Sequence, residues 1–95
     1  MKTYGQLLNK EIKKIAKRHR WPIWFCYNDK RKGWRRLSYC RNGYRASARI
    51  KHAIREEVVV LLVEHGIMAD VYWQECERYA YGPYDKLCIR IPGQA

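Results

Sequence analysis

The stretch from Ala46 to His65 constrains this chain more than any other. Ala46, Ile50, Ala53, Ile54, Val58, Leu61, Leu62 and His65 recur mostly in steps of three and four, the period of a helix. Read in isolation, residues 58–63 look like a buried strand, because β-branched side chains lower helix propensity. The period runs unbroken on both sides of them, so a helix over residues 47–64 is expected, with Ser47 as its cap. Gly66 suits a left-handed exit, and Ile67 can fold back onto the last turn. A helix this apolar is scaffold and carries no chemistry.

The other elements are read around it. Thr3, Tyr4, Gly5 and Gln6 form a capping box that opens a helix to about His19, with Tyr4, Leu8, Ile12, Ile15 and Ala16 inward. Trp21 and Pro22 end it. Residues 23–27 and 34–40 read as strands, joined by a turn over residues 28–33. Alternation puts Trp34, Arg36 and Ser38 on one face of the second strand and Arg35, Leu37 and Tyr39 on the other. Beyond the central helix, Ala69, Val71 and Trp73 alternate with Asp70, Tyr72 and Gln74. Residues 86–91 form a last strand with Leu87, Ile89 and Ile91 inward. The class is α+β, a single domain over residues 1–95 with the order α-β-β-α-β-β and a flexible tail at 92–95. Its four-stranded, mostly antiparallel sheet carries both helices on one face. The other face is open to a partner, with Trp24, Tyr39, Tyr72 and Trp73 as candidates for it.

The net charge of +11 is one-sided. Residues 1–45 hold fourteen Lys and Arg against two acids, and residues 46–95 hold six against seven. Such asymmetry steers a chain toward a polyanion. Three groups converge on nucleic acid, either DNA or RNA. Lys10, Lys13, Lys14, Lys17 and Arg18 line the first helix. Lys30, Arg31, Lys32, Trp34, Arg35 and Arg36 form a basic hairpin, and Arg41, Tyr44 and Arg45 a basic turn. Lys and Arg neutralise phosphates, a two-stranded ribbon fits a major groove, and Trp34 and Tyr44 offer rings for stacking on bases. The expected function is therefore a nucleic-acid-binding accessory protein.

Two alternatives stand beside it. A small inhibitor or adaptor of a phage or mobile element would dock on an acidic surface of a nucleic-acid-handling protein complex. Its anchors would be Tyr72, Trp73, Tyr79, Tyr81 and Tyr84, since aromatics dominate interface hot spots. A metal-independent ribonuclease would need a proton carrier, for which His19, beside Arg20, is the best of three histidines. Neither a nucleophile elbow nor an HExxH motif is present, so binding is favoured over catalysis. The spacing of Cys26, Cys40, Cys76 and Cys88 does not match a zinc site, and free thiols are expected, with no metal or cofactor. Cys76 and Cys88 are equidistant from Gly82, which would set them opposite one another in a simple hairpin. A homodimer is compatible with so small a core. With no apolar run of spanning length and no apolar stretch at the start of the chain, the expectation is a cytoplasmic protein without a membrane partner.

Overall fold

The computed structural model describes residues 4–41, 44–77 and 82–93. Six elements follow one another: α1 (Tyr4–Arg18), β1 (Phe25–Arg31), β2 (Trp34–Cys40), α2 (Ala48–Glu64), β3 (Asp70–Cys76) and β4 (Tyr84–Pro92). The strands form one antiparallel sheet in the order β1-β2-β4-β3. Leu37 and Tyr39 of β2, Leu87, Ile89 and Ile91 of β4, and Val71 of β3 share one face. They pack with Leu8, Ile12, Ile15 and Ala16 of α1 and Ile54, Val58, Leu61 and Leu62 of α2. Both helices therefore cover the same face, as the order of elements implies.

The central helix begins and ends where its sequence signals fall. The Ser47 hydroxyl accepts the Ile50 N–H at 3.2 Å. At the other end Gly66 has φ +67°, and the Ile67 N–H reaches the Leu62 carbonyl at 2.9 Å, which turns buried Ile67 back against the helix. The run of valines and leucines holds more apolar surface than one helix face can bury. Val58, Leu61 and Leu62 go inward, while Val60 and Val63 are left in solvent.

Helix α1 ends in the same motif without a glycine. The Trp21 N–H bonds to the Ala16 carbonyl at 3.0 Å and the Arg20 N–H to the Lys17 carbonyl at 3.0 Å, which holds Arg20 at φ 60°. This turn delivers Trp21 into the core, edge-on to Trp73 with ring centroids 5.0 Å apart.

Four expectations are corrected. The first strand is Phe25–Arg31, so the turn shrinks from residues 28–33 to Lys32 and Gly33, with Gly33 at φ +83°. Asn28 and Asp29 are turn formers by type, but pairing with β2 holds residues 28–31 extended, Asp29 opposite Arg36. Secondly, Cys76 lies opposite Tyr84, and Cys88 opposite Tyr72. The partner of Cys76 is thus four residues earlier than symmetry about Gly82 would give, and β4 starts at Tyr84 instead of residue 86. Thirdly, the last strand runs one residue beyond its expected end at Ile91. Pro92 is the last residue of β4, and the Gly93 N–H donates to the Gly33 carbonyl at 2.7 Å. Lastly, Tyr39 and Trp73 belong to the helix-covered face, not the open one. The capping box at Thr3 and the end of the tail at Gln94 and Ala95 lie outside the described residues.

Two stability predictions follow from this packing. Ile54→Asp puts an unpaired carboxylate among Val58, Leu61 and the sheet, at a cost comparable to the roughly 5 kcal/mol that holds a small domain together. Loss of the cooperative thermal transition in circular dichroism is expected, and an unaltered transition would show that Ile54 does not face the core. Arg20→Gly removes a left-handed strain of roughly 1 kcal/mol. It should raise the denaturation midpoint without changing the spectrum.

Candidate nucleic-acid interface

The basic residues singled out in the sequence do not meet on one surface. Lys10, Lys13, Lys14 and Lys17 lie on the side of α1 opposite Leu8, Ile12 and Ile15, so they point away from the sheet. Arg18, on the flank, reaches Glu57 of α2 at 2.6 Å. Lys30, Arg31 and Lys32 form the exposed tip of the β1–β2 hairpin. Arg41, Tyr44 and Arg45 follow the opposite end of β2, seven residues from the tip. Among the hairpin cations, parity divides Arg35, on the helix side, from Arg31 and Arg36, on the open side.

Register builds the open face in rows. Tyr27, Ser38, Cys88 and Tyr72 run across the four strands. The next row toward the hairpin tip is Asp29, Arg36, Arg90 and Asp70, and beyond it come Arg31, Trp34 and Pro92. Lys86 and Gln74 stand on the other side of the central row. Ser38 and Cys88 are buried although no helix covers them, because longer side chains surround them. Tyr27 and Tyr72, at the two ends of that row, are 48% and 37% exposed. Arg36 meets Asp29 at 3.1 Å, and that carboxylate raises the guanidinium pKa above its ordinary value against the opposing effect of burial. The Arg90 guanidinium lies over the Trp34 ring, 5.2 Å from its centroid. Sequence reasoning passed over Tyr27, Lys86 and Arg90. Their signal was available as parity, since each alternates with a residue of the helix-covered face.

The basic turn is committed to structure. Asp85 is fully buried, and its Oδ2 accepts the Ala46 N–H at 2.8 Å. Its Oδ1 is ion-paired with Lys51 Nζ at 3.0 Å and Arg45 at 3.5 Å, while Glu75, opposite Asp85 in the sheet, stands 3.7 Å from Arg45 and 3.8 Å from Lys51. This network fastens the start of α2 to β3 and β4. Arg41 is occupied as well. Its guanidinium sits 3.9 Å from the Tyr44 ring centroid and 4.8 Å from that of Trp24.

The aromatics proposed as protein anchors also separate. Trp73 faces the helices and donates its indole N–H to the Lys51 carbonyl at 3.0 Å, whereas its neighbour Tyr72 is on the open face. Tyr84 is buried, and Tyr79 and Tyr81 lie outside the described residues. His19 is half-buried, its Nε2 paired with the Glu57 carboxylate that also receives Arg18, an arrangement that ties α1 to α2. Burial pushes the Cys26, Cys40 and Cys88 thiols up, with the Lys13 charge opposing it at Cys26, so these thiols stay protonated near neutral pH. Among the described residues, no group of three or more His, Cys, Asp and Glu could hold a metal ion, and no helix is long and apolar enough to cross a membrane.

No protein-family model, curated protein or solved structure matches this chain.

The Asp85 network makes its own prediction. Asp85→Ala removes the acceptor of the Ala46 N–H and leaves Lys51 and Arg45 with only the exposed Glu75, which should cost about 3 kcal/mol. Asp85→Asn keeps an oxygen for Ala46 and should cost less. Urea denaturation of wild type and both variants separates the two contributions: the Asn–Ala difference reads the Ala46 hydrogen bond, and an Asn variant as stable as wild type would mean that the ion pairs contribute nothing.

Proposed function

We infer that this chain is a cytoplasmic nucleic-acid-binding accessory protein that engages the phosphate backbone. The observation that carries this reading is the fate of its positive charge. Arg18, Arg36 and Arg45 each meet a carboxylate. Lys10, Lys13, Lys17, Lys30, Arg31 and Lys32 are exposed, and no ion pair engages them among the described residues. Cations left in solvent are free to displace counterions from a polyanion. Each such contact adds affinity that salt removes.

A second reading is favoured by a separate observation. At the C-terminal end of α2, Val60, Val63 and Met68 are 55%, 71% and 85% exposed. An apolar patch of this kind suits an inhibitor or adaptor that docks on a nucleic-acid-handling protein complex.

The two readings separate in solution. Purified protein should bind labelled DNA or RNA oligonucleotides, with affinity falling about a thousandfold between roughly 50 mM and 200 mM salt if six phosphates are contacted. Lys30→Glu with Lys32→Glu, and Lys13→Glu with Lys17→Glu, test the hairpin and α1 separately. Combining all four should abolish binding and leave the circular dichroism spectrum intact. A protein complex that survives nuclease treatment, with no nucleic-acid affinity above that of an unrelated basic protein, would establish the adaptor instead.

A further inference from the structure

The open sheet face carries features that phosphate contact does not use. Tyr27 and Tyr72 stand at the two ends of its central row, on the outermost strands β1 and β3. Three strand spacings put them roughly 14 Å apart. The row between them holds two small side chains, Ser38 and Cys88, which the longer side chains around them bury. A third ring, Trp34, lies toward the hairpin tip under the Arg90 guanidinium. Rings with exposed surface are poor tenants of a face that meets only water, where their burial would otherwise contribute to stability.

The charge around these rings defines the occupant. Arg31, Arg36, Arg90 and Lys86 stand on the same face, against the acids Asp29 and Asp70. Lys32 continues the positive surface past Trp34 at the hairpin tip, whereas Lys30, opposite Arg35, belongs to the helix side. Planar rings interleaved with guanidinium groups match a ligand that is itself planar and anionic in alternation. A duplex hides its base faces in its own stack, so it can use the cations but not the rings. A single strand offers both.

We propose that the open sheet face binds single-stranded nucleic acid, with bases stacked on Tyr27 and Tyr72 and the backbone held by Arg36, Arg90, Lys86 and the hairpin tip. This rests on the nucleic-acid reading above and deepens it. Arg36 keeps its contact with Asp29 and offers only its remaining N–H donors, while Arg90 is aligned by the Trp34 ring before the ligand arrives. This chemistry accommodates DNA and RNA alike, since stacking and phosphate contact are common to both.

The test is fluorescence anisotropy on the full chain, with single-stranded DNA, single-stranded RNA and duplex DNA of equal length at one salt concentration. Single strands should bind at least about tenfold more tightly than duplex. Tyr27→Ala and Tyr72→Ala should each weaken single-strand binding by roughly 5- to 150-fold, the range for loss of one stacked base, and leave duplex binding unchanged. Tyr27→Phe and Tyr72→Phe keep the rings and should restore affinity, which separates stacking from any loss through the hydroxyls. Thermal denaturation of each variant checks that it is folded. Equal affinity for duplex and single strand, or alanine variants that bind as wild type does, would overturn the stacking platform while the broader nucleic-acid reading stands. Failure of wild-type protein to bind any of the three ligands above a basic control would overturn both.

Discussion

One-sided burial governs this molecule. Both helices lie on the same face of the sheet, so β2, β3 and β4 send their large aliphatic residues that way. Side chains alternate with a period of two, and the choice of the inward set therefore dictates the outward one. Leu37 and Tyr39 inward put Arg36 and Ser38 outward; Leu87, Ile89 and Ile91 inward put Lys86, Cys88 and Arg90 outward; Val71 and Trp73 inward put Tyr72 outward. A slip of one residue in β2 or β4 would drive an arginine under the helices and lift Leu37 or Ile89 into water. The register is fixed by that penalty.

The same rule explains how much was legible in the sequence. The central helix could be read almost to the residue, because its period outweighs the strand-like valines within it and Ser47 and Gly66 mark its ends. The inward faces of β2 and β4 were legible by alternation. Strand ends were harder. Nothing in residues 28–31 favours extension by type, and only pairing with β2 keeps them in β1. The β3–β4 register was misjudged for a related reason. Gly82 marks a plausible turn centre, but Tyr84 and Asp85 are drawn into β4, one to be buried and the other to fasten α2. Charge was legible as an amount and not as a shape. Lysines adjacent in sequence on α1 and at the hairpin tip belong to different layers, and a linear count cannot separate them.

Structure also sorts the basic residues by task. Arg45 and Lys51 are spent on Asp85 and Glu75, which hold the first turn of α2 against the sheet edge. Arg18 is spent on Glu57, which binds the two helices together near the His19 ring. These pairs lie at joints between elements, where a partly desolvated carboxylate gains most from a cation. The lysines of α1 and the hairpin tip lie at no joint. Their removal would cost the fold little.

The two solvated basic regions differ in what they can recognise. The α1 row consists of lysines alone, flexible point charges on a convex helix with no ring among them. It can attract a polyanion and neutralise it, but it has no surface on which to hold a base. The open sheet face joins planar guanidinium groups to planar rings in rows that the register keeps fixed. Since α1 covers the opposite face of the same sheet, one short segment of ligand cannot lie along both. On the proposed reading, attraction and discrimination fall to different sides of the molecule. In that proposal the helix row would act over distance and yield to salt, while the sheet face would act only in contact and depend on geometry.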